Sequence, residues 1–106
     1  MKALLLAALP VLTAAAPAAP PVTPAAVVHI KNFAYVPATV TVAAGSTVRF
    51  VNDDGEAHTV TSDAKTFDSG GLDSGDSWSY RFAAPGTYPY FCAVHPYMHG
   101  AVVVTK

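Results

Sequence analysis

From Val27 onward the sequence alternates in step with an extended backbone rather than a helical one. In Ser77 to Phe82 the aromatic residues Trp78, Tyr80 and Phe82 fall on one side, and Ser79 and Arg81 on the other. Val48 and Phe50 share a face between Thr47 and Val51, with Arg49 opposite. Thr39 to Val42 alternates in the same way. The run Val27 to Lys31 is apolar and β-branched, Thr87 to Cys92 is aromatic-rich, and Gly100 to Thr105 carries three consecutive valines. After the acidic stretch Asp53 to Glu56, His58 and Val60 are expected on one face of a further strand, with Thr59 and Thr61 opposite. Period-two patterning of this kind marks half-buried strands. The interruptions Ala43–Ser46, Asp53–Glu56, Ser69–Gly71, Asp73–Gly75 and Ala84–Gly86 are built from turn residues. No segment after Val27 sustains a helical period, so the pattern predicts an all-β sandwich. Trp78, Tyr80 and Phe82 are expected in its core.

The first 26 residues are different in kind, holding ten Ala and five of the nine Pro. Lys2, the short apolar run Ala3–Ala16 and the small residues from Thr13 to Ala19 follow the three-part order of a secretory leader. A membrane span needs about 20 apolar residues, and this run is broken at Pro10 and Pro17. The expected organisation is therefore a leader over residues 1–19, a Pro/Ala lead-in over 20–26 and one domain over 27–106. The full chain has 6 Lys+Arg against 7 Asp+Glu, a net charge of −1. A basic nucleic-acid surface is thus excluded as its main feature. A single cysteine, Cys92, forbids an internal disulfide. A small exported domain without one usually needs another staple, such as a metal.

The segment Tyr90-Phe91-Cys92-Ala93-Val94-His95-Pro96-Tyr97-Met98-His99-Gly100 concentrates the chemistry. A strand delivers Cys92, and a tight loop then presents His95 and Met98, while His58 stands on an earlier segment. Taken singly, each residue has an ordinary explanation: a buried inert thiol, a strand histidine, a methionine filling the core. Together a thiolate, two imidazoles and a thioether form the His₂Cys set with weak axial Met that suits copper in electron transfer. Cys92 is a soft anionic donor for Cu(I), and His58 and His95 are borderline donors that Cu(II) accepts. Met98 is a weak sulfur that disfavours Cu(II). His99 competes with Met98 as the axial donor, but adjacent residues of an extended segment point opposite ways, so it is expected to face solvent. His29 is assigned no role.

The spacing Cys92-x-x-His95-x-x-Met98 resembles the type 1 copper proteins, and the short loop is most similar to the amicyanin branch of the cupredoxins. Val48-Arg49-Phe50-Val51-Asn52, Ala57-His58-Thr59-Val60, Pro85-Gly86-Thr87-Tyr88 and Tyr90-Phe91-Cys92 extend the resemblance over about Val27 to Lys106. It implies a Greek-key β-sandwich of seven to eight strands. It also implies one copper ion on His58, Cys92, His95 and Met98, cycling between Cu(I) and Cu(II). One departure stands out: Thr59 occupies the position where many members carry an Asn that ties the two ligand loops together. The function implied is a monomeric exported carrier, periplasmic or otherwise, passing single electrons between transient protein partners such as a c-type cytochrome or a dehydrogenase. A copper carrier or buffer is the alternative. An enzyme is not expected, since a multicopper oxidase needs further His pairs and a dinuclear purple site needs two cysteines. An apolar docking patch is expected around His95, Pro96, Tyr97 and Ala84-Pro85. Asp53, Asp54 and Glu56 form an acidic loop that either steers a basic partner or is merely solvated.

Overall fold

A computed structural model describes residues 22–106. The expected leader over 1–19 lies outside the described residues. Among these, eight strands occur and no helix: β1 Ala26–Lys31, β2 Ala34–Val36, β3 Thr39–Ala43, β4 Ser46–Asn52, β5 Thr61–Ser62, β6 Ser77–Phe82, β7 Gly86–Phe91 and β8 His99–Thr105. They form two four-stranded sheets, ordered β2-β1-β4-β6 and β3-β8-β7-β5. Both are mixed: β1 runs parallel to β4 and β3 parallel to β8, and the remaining pairs are antiparallel. This is the expected all-β sandwich.

The alternation read from the sequence is what fills the space between the sheets. β3 buries Val40 and Val42, β4 buries Val48 and Phe50, β1 buries Val28 and Ile30, and β8 buries Val102 and Val104. Each such side chain taken from water contributes roughly 1.5–3 kcal/mol. Tyr90 of β7 is fully buried at the centre, edge-on to Tyr35 at 4.7 Å and to Phe50 at 5.4 Å. Its cross-strand partner is Gly100. The Tyr90 ring occupies the space a side chain would take there, since a Cβ on Gly100 would lie 2.4 Å from Cζ and from the hydroxyl oxygen.

Three expectations need correction. Of the aromatic trio only Phe82 is fully buried; Trp78 and Tyr80 lie on the same face of the edge strand β6 and pack against the core, but are only half-buried. The segment His58–Val60 is not a strand. His58 makes only an isolated bridge with Leu72, and His58, Thr59 and Val60 are all buried, so no alternation survives. The three-residue strand β2 is not among the expected strands, and β1 begins at Ala26, one residue before the expected Val27.

Candidate metal centre

One end of the sandwich gathers the residues singled out above. Cys92 follows the last residue of β7, and Met98 precedes the first residue of β8. The loop between them is closed on itself: the Cys92 amide donates to the Met98 carbonyl at 3.2 Å, and the Met98 amide donates to the His95 carbonyl at 2.9 Å. Phe91 and His99 form the last cross-strand pair outside it. Cys92 is fully buried, Met98 is 2% exposed, and His95 is half-buried. His99 points to solvent, as expected.

His58 arrives from the other sheet's side, on the segment leaving β4. The preceding acidic loop is braced by Asn52, which is buried. Its Nδ2 donates to the carbonyls of Glu56 (2.8 Å) and Leu72 (2.9 Å), and its Oδ1 accepts from the Asp54 amide at 3.0 Å. Reciprocal amide–carbonyl bonds of 3.0 and 2.8 Å then tie His58 to Leu72. The buried polar groups of the loop are thereby paired, as burial requires.

The donor atoms converge. His58 Nδ1 and His95 Nδ1 each lie 3.8 Å from Cys92 Sγ and 3.1 Å from one another. The centre of that triangle lies about 2.1 Å from each corner, close to a metal–imidazole bond length and slightly short for a metal–thiolate one. For a neutral His58 ring, a second contact sets the tautomer. Its Nε2 is 2.8 Å from Asp54 Oδ2, and a carboxylate only accepts, so Nε2 carries the proton and Nδ1 presents its lone pair to the cluster. A soft sulfur and two nitrogens so placed fit a copper or zinc ion, and the buried thioether of Met98 on the same loop favours copper.

Asp54 is tied to the donor cluster in a way its sequence context did not show. Rather than lying in solvent with its neighbours, its side chain is 12% exposed. It also accepts from the amides of Asn32 (2.7 Å, Oδ1) and Phe33 (2.9 Å, Oδ2). Burial pushes its carboxyl up, but the Phe33 and Asn32 amides and the His58 ring outweigh this and hold it below its usual value. Asp53 is engaged too, with the exposed His29 at 2.5 Å. The acidic loop is thus partly a structural brace.

Thr59 does the tying expected of an Asn. Its amide donates to Cys92 Sγ at 3.3 Å, and its Oγ1 accepts from the Ala93 amide at 2.7 Å, which joins the two ligand segments. The Thr59 hydroxyl also pairs with that of Thr61 (2.8 Å), which donates to Asp68 at 3.2 Å. The Tyr35 hydroxyl donates to the Thr59 carbonyl at 2.5 Å. Burial, then the adjacent Cys92 and Tyr90, push the Tyr35 hydroxyl far above its ordinary range, so it stays a donor.

A mixed-sheet sandwich carrying a buried His–Cys–His cluster between its strand ends defines a class of metalloprotein. The chain belongs to the cupredoxin-like domain family, whose pattern matches residues 2–104. Amicyanin-alpha of Methylorubrum extorquens is 35% identical over 82 residues, 73% of this chain and 69% of that one. Amicyanin of Paracoccus versutus is 34% identical over 87 residues, 76% of this chain and 64% of that one, just under two thirds. Among solved structures, a Cu(I) form of an amicyanin variant superposes with a TM-score of 0.73 at 30% identity, over 78% of this chain and 84% of that one. A purple cupredoxin of Nitrosopumilus maritimus superposes at 0.71 and 30% identity, over 76% and 99%. A copper-containing nitrite reductase of Thermus scotoductus also matches, but over only 23% of its own length.

Proposed function

We propose that His58, Cys92, His95 and Met98 hold one copper ion and that the protein carries single electrons between protein partners by Cu(I)/Cu(II) cycling. The observation that carries this reading is the convergence of His58 Nδ1, His95 Nδ1 and Cys92 Sγ to within 4.8 Å of one another. A bound copper would supply a one-electron couple. The chain's own residues supply the rest. Cys92 and His58 are removed from water, Asp54 orients His58, and Thr59 fixes the sulfur relative to the loop. Donors held in this way need move little when the charge at their centre changes. Around the half-buried His95 lie exposed apolar side chains, Val94 (56%), Tyr97 (68%) and Phe33 (40%). This face suits brief docking of a redox partner, a c-type cytochrome or a dehydrogenase, by a monomeric protein. The leader pattern over 1–19 supports export, to the periplasm or an equivalent compartment. The reading is of an electron carrier, not of an enzyme.

The test is addition of Cu(II) to the purified protein. An intense blue band with a narrow copper hyperfine splitting is expected, lost in Cys92→Ser. A colourless complex, or a band that survives Cys92→Ser, refutes the assignment. Fast electron self-exchange separates a carrier of electrons from a carrier of copper.

A further inference from the structure

The connection between β1 and β2 breaks a backbone rule. Lys31 and Ala34 are the last paired residues of an antiparallel hairpin, so its loop is the two residues Asn32 and Phe33. Both have positive φ, 52° and 56°. Two-residue loops with this geometry are usually Asn-Gly, because the second position places a Cβ against its own carbonyl. Asn32 fits; Phe33 is a bulky aromatic in a left-handed conformation, an outlier of the kind that points to function.

Burial does not account for it, since Phe33 remains 40% exposed. Its contacts do. The ring stands edge-on to His58, with centroids 5.3 Å apart at 89°, and edge-on to His95, at 5.0 Å and 90°. The strained turn is held by one side chain: Asp54 accepts from the Asn32 and Phe33 amides while also accepting from His58 Nε2. One carboxylate thus fixes a donor histidine and the aromatic ring that covers it. His58 is fully buried and secured, whereas His95 stands on the outer loop. The other aromatic neighbour of His95, Tyr97, is more distant, at 6.0 Å, and itself largely exposed.

We propose that Phe33 is a positioning residue of the metal centre, kept in a strained turn by Asp54 so that its ring locks the imidazole of His95 against that of His58. The strain is the local cost of putting a ring where the turn alone would put glycine. Its return is a His95 that does not rotate or admit water at its edge. The consequence for electron transfer rests on the proposed copper reading; the locking of the ring does not.

The experiment compares Phe33→Gly, Phe33→Ala and Phe33→Tyr. In the metal-free protein, Phe33→Gly should melt above Phe33→Ala, because both lose the ring and only glycine relaxes the backbone. NMR of the His95 ring should show the population of non-native rotamers rising about tenfold in both, equivalent to the ~1.4 kcal/mol within the range of such edge-on pairs. Phe33→Tyr should restore the native ring signals. With copper added, the hyperfine splitting should shift in the Gly and Ala variants and return in Phe33→Tyr. Unchanged His95 signals and an unchanged copper spectrum in Phe33→Gly, with only partner rates reduced, would overturn the proposal and leave Phe33 as a docking residue. If the parent protein forms no blue centre, the copper reading fails, and the metal-free comparison still decides the role of Phe33.

Discussion

Replacing Thr59 by Val isolates the hydroxyl that joins the two ligand segments. Valine keeps the shape of the side chain, the amide that donates to Cys92 Sγ and the carbonyl that accepts from Tyr35. Only Oγ1 is lost, and with it the 2.7 Å bond from the Ala93 amide and the 2.8 Å bond to Thr61. Thr61 retains Asp68 as acceptor, so it is not orphaned. The Ala93 amide has no other partner, and an unsatisfied backbone donor costs roughly 1–3 kcal/mol. Ala93 is itself an exposed residue, so water recovers part of this. The expected destabilisation of the metal-free protein is therefore about 1–2 kcal/mol. For a domain of this size that is a fall in Tm of roughly 5–15 °C. Urea unfolding should show a lower midpoint at unchanged m, and amide exchange at Ala93 should accelerate with it. Thr59→Ser, which keeps the hydroxyl, should recover most of the loss. A midpoint shift worth less than about 0.3 kcal/mol, within the range of neutral surface changes, together with undiminished protection at Ala93, would show that this bond does not tie the segments.

Other perturbations test other parts of the structure. Gly100→Ala drives a methyl into the buried Tyr90 ring, which has no room to withdraw, and should cost about 1–3 kcal/mol or more in chemical unfolding. Met98→Gln should retain copper but lower its reduction potential, since an amide oxygen is a harder donor that favours Cu(II); His99→Ala should leave potential and spectrum unchanged, and the reverse pattern in voltammetry would make His99 the axial donor. Asp54 has a carboxyl held below its usual 3.8, so its stabilising effect is complete above that value and is lost as pH falls through the native one. Asp54→Asn should thus be less stable than the parent at neutral pH, with the gap closing below about pH 4; a gap constant down to pH 2 in acid titrations of the metal-free protein would contradict this.

How far each feature could be read in the sequence depended on how local its cause is. Alternation is a nearest-neighbour property, so β1, β3, β4, β6, β7 and β8 were legible with ends shifted by a residue or so. Cys92, His95 and Met98 lie within one loop, and their spacing exposed them directly. His58 was joined to them only by its donor chemistry and by the resemblance, not by spacing, because the contact crosses 34 residues. Alternation placed Trp78, Tyr80 and Phe82 on one inward face, but how deeply each is covered depends on the elements packed against β6, which alternation does not encode. Asp54 was hidden for a similar reason. Asp53-Asp54-Gly55-Glu56 has the composition of a solvated turn, and only the fold reveals that Asn32 and Phe33, more than 20 residues earlier, present their amides to it.

Several places where local rules fail lie together at one end of the molecule. A Phe occupies a left-handed turn position, a histidine and a threonine are buried off any regular strand, and a carboxylate is turned inward. The left-handed Phe would weaken a sandwich whose only task was to fold, while the buried polar groups beside it are paired with one another, and conflicts of this kind in natural proteins concentrate at functional sites. Here they are connected: Asp54 joins the Phe33 turn to His58, and Thr59, the next residue, joins His58 to the segment of Cys92 and Ala93. The three donors are therefore set by bonds between distant parts of the protein, not by the loop that carries two of them. That division explains how a loop as short as Cys92–Met98 can hold a fixed geometry. It closes on its own backbone, while its orientation relative to His58 is imposed from outside through Thr59 on one side and Phe33 on the other. Loss of either constraint alone should loosen one direction of motion. Loss of both should free His95 from His58 while the sheets beneath remain intact.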